Sequence, residues 1–200
     1  MPREDFIEIK NLAKVQNLLK DIPKGVEKAT SSAINRSLVT LKKNVKKEVT
    51  NNYGIKSTEV EKAMVVQKAT LMKITGSIKS KSPLLSLYKF LKSNNGNEIK
   101  VLIKKTSGTQ RVKGKKNLKG KPFIARMKNG HKGIFQKKES RKIEELKTLS
   151  IPQMLGSESV MEYIKNNNEV DSLLEKNIER EINRILKGYV WWRYLIWKRN

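Results

Sequence analysis

"VEKATSSAINRSLVTLKKNVKKEVTNNYG", residues 26–54, sets the fold class. Val26, Ala29, Ala33, Leu38, Leu41, Val45 and Val49 recur at near-helical spacing with lysines on the remaining faces, which predicts one long amphipathic helix. Pro23 suits its first turn, and the Asn and Gly of 51–54 supply residues that tolerate the left-handed conformation at a helix end. Ser57 is then expected to cap a short helix, "STEVEKAM", whose Glu59 and Glu61 suit the positive end of its dipole.

Upstream, Phe6, Ile9, Leu12, Val15 and Leu19 predict a short amphipathic helix over 5–20. Downstream the period changes. "VVQKATLMKITGSI" (65–78) alternates loosely, and Ile99, Val101 and Ile103 alternate against lysines in "EIKVLIKKT" (98–106). "KPFIARMK" and "GIFQKK" flank the "NG" of 129–130 as a hairpin would. Pro83 and "NNGN" mark 82–97 as a loop or short helical turn, and "KIEELK" (142–147) is a further short strand. From "SIPQML" onward, helical spacing resumes through Leu186, with a break at the "NNN" of 166–168. The expected fold is α+β: a long N-terminal helix and a C-terminal helix packed on an antiparallel sheet, with an extended basic hairpin arm.

The formal net charge is +25. Residues 62–138 hold 21 of the 44 basic residues and one acid, Glu98, so most of the charge lies in one contiguous segment. A field of one sign attracts polyanions, whether DNA, RNA or an acidic protein surface. Lys104, Lys105, Arg111, Lys113, Lys115, Lys116, Lys119, Lys121, Arg126 and Lys128 are the candidate contacts. Lys on Gly-containing backbone follows phosphates without reading bases. The bland alternative is a solvated hairpin tip. Lys outnumbers Arg 35 to 9, so part of the excess reflects composition rather than binding.

Enzyme chemistry finds few candidates. With no Cys and a lone His131, there is neither a thiolate nor an expected metal site, and no cofactor is implied. His131 has no acid near it in sequence and reads as solvated; "GKKNLKGK" lacks phosphate-loop spacing. A two-metal nuclease needs several acids on the basic face, where Glu98 stands alone. Glu175, Glu179 and Glu181 read as solubilising helix-face acids. Charged residues in "MPREDFIEIK" and the lack of an apolar span predict a soluble, unprocessed chain with no membrane partner. The tail "YVWWRYLIWKRN" (189–200) concentrates Tyr189, Trp191, Trp192, Tyr194 and Trp197. These either cover the core or, the preferred reading, anchor a subunit interface; membrane-surface binding is weaker because Arg193 interrupts the run.

"GIFQKKESRKIEELKTLSIPQML" (133–155) resembles the prophage minor tail protein Z family, tail completion proteins of long-tailed phages. Gly133, Ile134, Phe135, Ile143, Glu144, Glu145, Leu146, Ser150, Ile151, Pro152, Gln153 and Met154 carry the likeness in order. The helix with its Asn35–Arg36 pair and the Tyr53–Gly54–Ile55–Lys56 turn agree, so the resemblance covers about residues 20–188. It implies a single tail-completion domain over 1–188, with a basic sheet and arm at 62–138; the aromatic extension at 189–200 lies past the matched part, and the resemblance says nothing of its role. It also implies a non-enzymatic virion protein at the head-proximal end of the tail, with host cytoplasm as its site during assembly. There it would form a homo-oligomeric, hexameric ring between neck or terminator and tail tube, around the DNA channel. Asn35, Arg36, Tyr53, Gly54, Phe135, Ile151, Pro152, Gln153 and Met154 then become architectural. The alternative, motivated by charge, is a free nucleic-acid-binding protein of ribosome- or nucleoid-associated type.

Overall fold

The structure is a computed structural model that describes residues 16–17, 19–95, 98–139, 142–166 and 169–197, apart from the side chains of 165, 166, 169 and 192–197. Five helices are described: α1 (Gly25–Asn52), α2 (Ser57–Ala63), α3 (Ile151–Leu155), α4 (Glu158–Asn166) and α5 (Glu169–Trp197). Eight strands accompany them: β1 (Met64–Gln67), β2 (Ser77–Ser80), β3 (Leu91–Asn94), β4 (Ile99–Val101), β5 (Gln110–Arg111), β6 (Lys119–Arg126), β7 (Lys132–Lys137) and β8 (Ile143–Glu145). The α+β class and the two long helices are as expected. The strands divide among separate sheets, β1–β2, β3–β4–β5 and β6–β7–β8, rather than forming one.

Two compact units share the chain. Unit 1 is 1–43, 66–79 and 164–200; unit 2 is 44–65 and 80–163. The apolar stripe of α1 therefore serves two cores. In unit 1, Ala29 and Ala33 meet Leu174, Ile178 and Ile182 of α5, with Leu19 closing the cluster. Two alanines let the branched side chains of α5 approach closely, so the C-terminal helix finds its partner in α1. Asn35 clamps the segment after β1: its Nδ2 donates to the Ala69 carbonyl at 3.0 Å and its Oδ1 accepts from the Ala69 N–H at 2.8 Å.

In unit 2, Val45 and Val49 of α1 join Val60, Phe90, Ile134, Ile151, Met154 and Val160 among the buried side chains. Residues 85–87 run antiparallel to 146–149, with Leu87 N–H donating to the Leu146 carbonyl and Thr148 N–H to that of Leu85. The "SIPQM" block is a built helix start. Ser150 Oγ and Gln153 form a reciprocal capping box, Pro152 sits in the first turn, and Ile151 and Met154 are fully buried.

Several local expectations are corrected. Pro23 precedes α1, which begins after Lys24 at φ 55°. Gly54 has no left-handed φ; it is required because a Cβ there would lie 2.1 Å from the Leu102 carbonyl oxygen. Tyr53, 2% exposed, bridges Lys104 at the same crossing. Lys56, not Ser57, occupies the cap position of α2, with no side-chain capping bond. The 82–97 stretch contains a 3-10 turn at Leu87–Phe90 and an unforeseen strand, β3, while the strand expected over 98–106 is confined to β4. Phe6, Ile9, Leu12 and Val15 of the 5–20 helix lie outside the described residues. α4 ends at Asn166 and α5 begins at Glu169, while residues 167 and 168 of the expected break lie outside the described residues; α5 runs on through Trp197, so the aromatic tail is helical to that point.

Candidate polyanion-binding surface

The basic hairpin is β6–β7. Its turn holds Gly130 at φ 83°, and Phe123 faces Phe135, Ile124 faces Ile134, and Arg126 faces Lys132 across the ladder. Lys119 faces Lys137 beyond an irregularity in the register. Like charges directly opposite each other on a sheet repel. The β4–β5 ladder has the same problem, Lys100 against Arg111, but solves it internally: Glu98 lies 2.9 Å from Arg111 Nη1 and 3.6 Å from Lys100 Nζ. Among the described residues, neither pair on β6–β7 has an acid within ion-pair distance.

The lysine-rich segment before β6 is an anchored loop rather than a free arm. Gln136 of β7, 2% exposed, accepts from the Lys115 N–H at 2.8 Å through Oε1. Its Nε2 donates to the Gly120 carbonyl at 3.0 Å and, at longer range, to those of Lys115 and Leu118. One amide thereby uses both acceptor and donor ends on the loop backbone. Gly114 makes room for it, since a Cβ at 114 would lie 2.5 Å from Gln136 Nε2.

All ten candidate basic residues are exposed and fall in unit 2. Lys104 and Lys105 lead into a 3-10 turn, Arg111 is on β5, Lys113, Lys115 and Lys116 are on the anchored loop, Lys119, Lys121 and Arg126 are on β6, and Lys128 is in the hairpin turn. Arg111 is spoken for by Glu98, and Lys115 by Glu144 at 2.5 Å. The hydrogen bond from Lys115 holds the Glu144 carboxyl below the ordinary carboxylate value. The other eight have no ion-pair partner among the described residues. Lys132 and Lys137 belong with them and were not singled out from sequence, although hairpin register about the "NG" turn places Lys132 opposite Arg126.

His131 is exposed, as expected from sequence, but it does not stand alone: its Nε2 lies 2.8 Å from Glu145 Oε1, and its ring stands edge-on to Phe135. Burial pushes the Glu145 carboxyl up, but hydrogen bonds from Ser86 and His131, with the nearby charges of His131 and Lys147, outweigh it and leave the group below its ordinary value. Glu181 also departs from expectation, being fully buried between Arg36 and Arg184. Among the described residues no cluster of His, Cys, Asp or Glu is built to hold a metal. No described helix is long and apolar enough to cross a membrane.

The sequence model of the family described as prophage minor tail protein Z matches residues 9–192. The chain belongs to that family. It is accordingly a phage tail protein, a virion component that interacts with other parts of the tail. No curated protein and no solved structure shows significant similarity to the chain. Among the positions that carry the prophage minor tail protein Z likeness, Asn35 hydrogen-bonds the Ala69 backbone, Arg36 pairs with Glu181, Gly54 lies against the Leu102 carbonyl, Tyr53 and Phe135 are buried, and Ser150–Met154 start α3. The interface candidates lie at the end of α5, where Val190 and Trp191 are 66% and 67% exposed and Tyr189 is half-buried. The side chains of Trp192, Tyr194 and Trp197 lie outside the described set.

Proposed function

We propose that the chain is a non-enzymatic tail completion protein at the head-proximal end of the tail, assembled as a hexameric ring between neck or terminator and tube. Its β6–β7 hairpin and anchored loop contact the DNA that passes through. Family membership supports the tail setting, and the observation that carries the contact is the pair of opposed like charges, Arg126 with Lys132 and Lys119 with Lys137, left without acids. A phosphate backbone between them removes repulsion that the β4–β5 ladder removes with Glu98. Ring repetition multiplies individually weak lysine–phosphate contacts through effective concentration. The exposed Val190 and Trp191 of α5 supply apolar anchors for subunit contact.

Phage particles carrying Lys113, Lys116, Lys119, Lys121 and Lys128 all changed to Gln test the reading. The expected result is normal tail length and incorporation of the variant, with reduced DNA retention and titre. Wild-type titre and DNA content would remove the DNA role. Tight, salt-steep DNA binding by the purified monomer would favour a free nucleic-acid-binding protein instead.

A further inference from the structure

We infer that unit 1 carries a second anion-recognition site, a groove between α1 and α5 that takes the carboxylate side chains of an acidic protein segment. This site is separate from the lysine-rich surface of unit 2 and stands whether or not that surface meets DNA. The groove, about 610 Å³, is lined by Arg36, Lys176, Glu179, Arg180, Arg184 and Lys187 among others. Its volume suits a few side chains rather than a duplex.

Arginine choice is the first argument. In a chain with 35 Lys and 9 Arg, compositional drift toward Lys explains lysine anywhere, but three of the nine arginines line this one groove. A guanidinium differs from an ammonium in presenting a planar fork that matches a carboxylate bidentately.

The second argument is how the forks are set. Glu181 is fully buried, and each of its oxygens faces an arginine Nε: Arg36 at 2.5 Å from Oε1 and Arg184 at 2.8 Å from Oε2. The Arg184 contact is a hydrogen bond; Oε1 lacks one of good geometry, so Arg36 is held by charge. Both arginines spend Nε inward. Their terminal nitrogens have no hydrogen-bond partner among the described residues, and the side chains are 47% and 62% exposed. Glu181 is thus a positioning residue: it neutralises part of the charge and orients the outward ends of both guanidiniums. Arg180, without an ion-pair partner among the described residues, adds a third fork at the rim.

Carboxylate is favoured over nucleic-acid phosphate by the groove's scale and by Glu179 on its wall, which repels a continuous phosphate backbone but tolerates spaced acidic side chains. A tail protein has other tail components as its neighbours, so the occupant is an acidic segment of one of them.

The test is fluorescence-polarisation binding of a labelled hexaglutamate peptide to the full chain at about 0.15 M salt, where diffuse attraction is screened. Arg180→Lys with Arg184→Lys preserves net charge and is expected to weaken binding about tenfold through loss of the forks. Arg180→Gln alone touches no buried group, covers the case in which the double variant fails to fold, and is expected to weaken binding as well. Lys113→Gln with Lys116→Gln in unit 2 is expected to leave the affinity within about twofold. Unchanged binding in Arg180→Gln, or equal loss in the unit 2 variant, overturns the site. Hexathymidylate binding as tightly as the peptide, with the same arginine dependence, overturns its assignment to protein.

Discussion

Replacing Gln136 with Leu separates an anchored loop from a free one. The substitution keeps approximate volume and removes both hydrogen-bonding ends of a side chain that is 2% exposed. Two bonds are short, to the Lys115 N–H at 2.8 Å and the Gly120 carbonyl at 3.0 Å; the contacts to the Lys115 and Leu118 carbonyls are longer, at 3.3 and 3.4 Å. At about 1 kcal/mol net for each good bond, and little for the longer pair because the loop can turn those groups to water, the loss is about 2 kcal/mol. Local opening of 113–118 should therefore become about thirtyfold more frequent while the β6–β7 ladder beyond it stays closed. Native-state hydrogen exchange reads this directly: the Lys115 amide, hydrogen-bonded to Gln136 in the parent, should exchange about thirtyfold faster in Gln136→Leu, with Ile124 and Phe135 little changed. Equal protection of Lys115 in both proteins would refute the view that Gln136 holds the loop.

Other consequences are local. Gly54→Ala places a Cβ against a backbone carbonyl that cannot swing aside, so urea denaturation should show a loss of about 3 kcal/mol or more. Ser150→Ala removes half of the capping box of α3 and should lower stability by about 1 kcal/mol in the same assay. Glu145 has a folded-state pKa below its ordinary value of 4.5, so its contribution is present above 4.5 and fades as pH falls through the lower folded value. Glu145→Gln should flatten that part of the acid limb of a stability–pH curve, and an unchanged limb would mean that the contacts to Ser86 and His131 do not stabilise the charged form.

Much of this was open to reading along the chain. The α1 stripe and the β6–β7 hairpin were legible because periodicity and an Asn-Gly turn are local signals. β3 was not: "LKSN" is too short to alternate and sits between Pro83 and "NNGN". Glu181 looked like a solvated helix acid, yet it stands three residues after Ile178 and four before Ile185, in phase with the buried stripe. Gln136 shares a strand face with Ile134, which marks it as an inward polar residue. Partners remote in sequence, such as Glu145 for His131 and Arg36 for Glu181, required the fold, because nothing in linear spacing brings them together. The exposed basic residues were legible as charge, whereas their division into neutralised and unneutralised pairs came from strand register.

The unneutralised ladder on β6–β7 has a practical corollary in the test tube. A hairpin whose rungs include Arg126 against Lys132 and Lys119 against Lys137 needs small anions from the buffer when no larger one is present. Dialysis into dilute buffer should let the rungs splay and leave the strand edges sticky, whereas sulfate or phosphate should keep the hairpin zipped, so the choice of eluent decides whether a preparation stays clear.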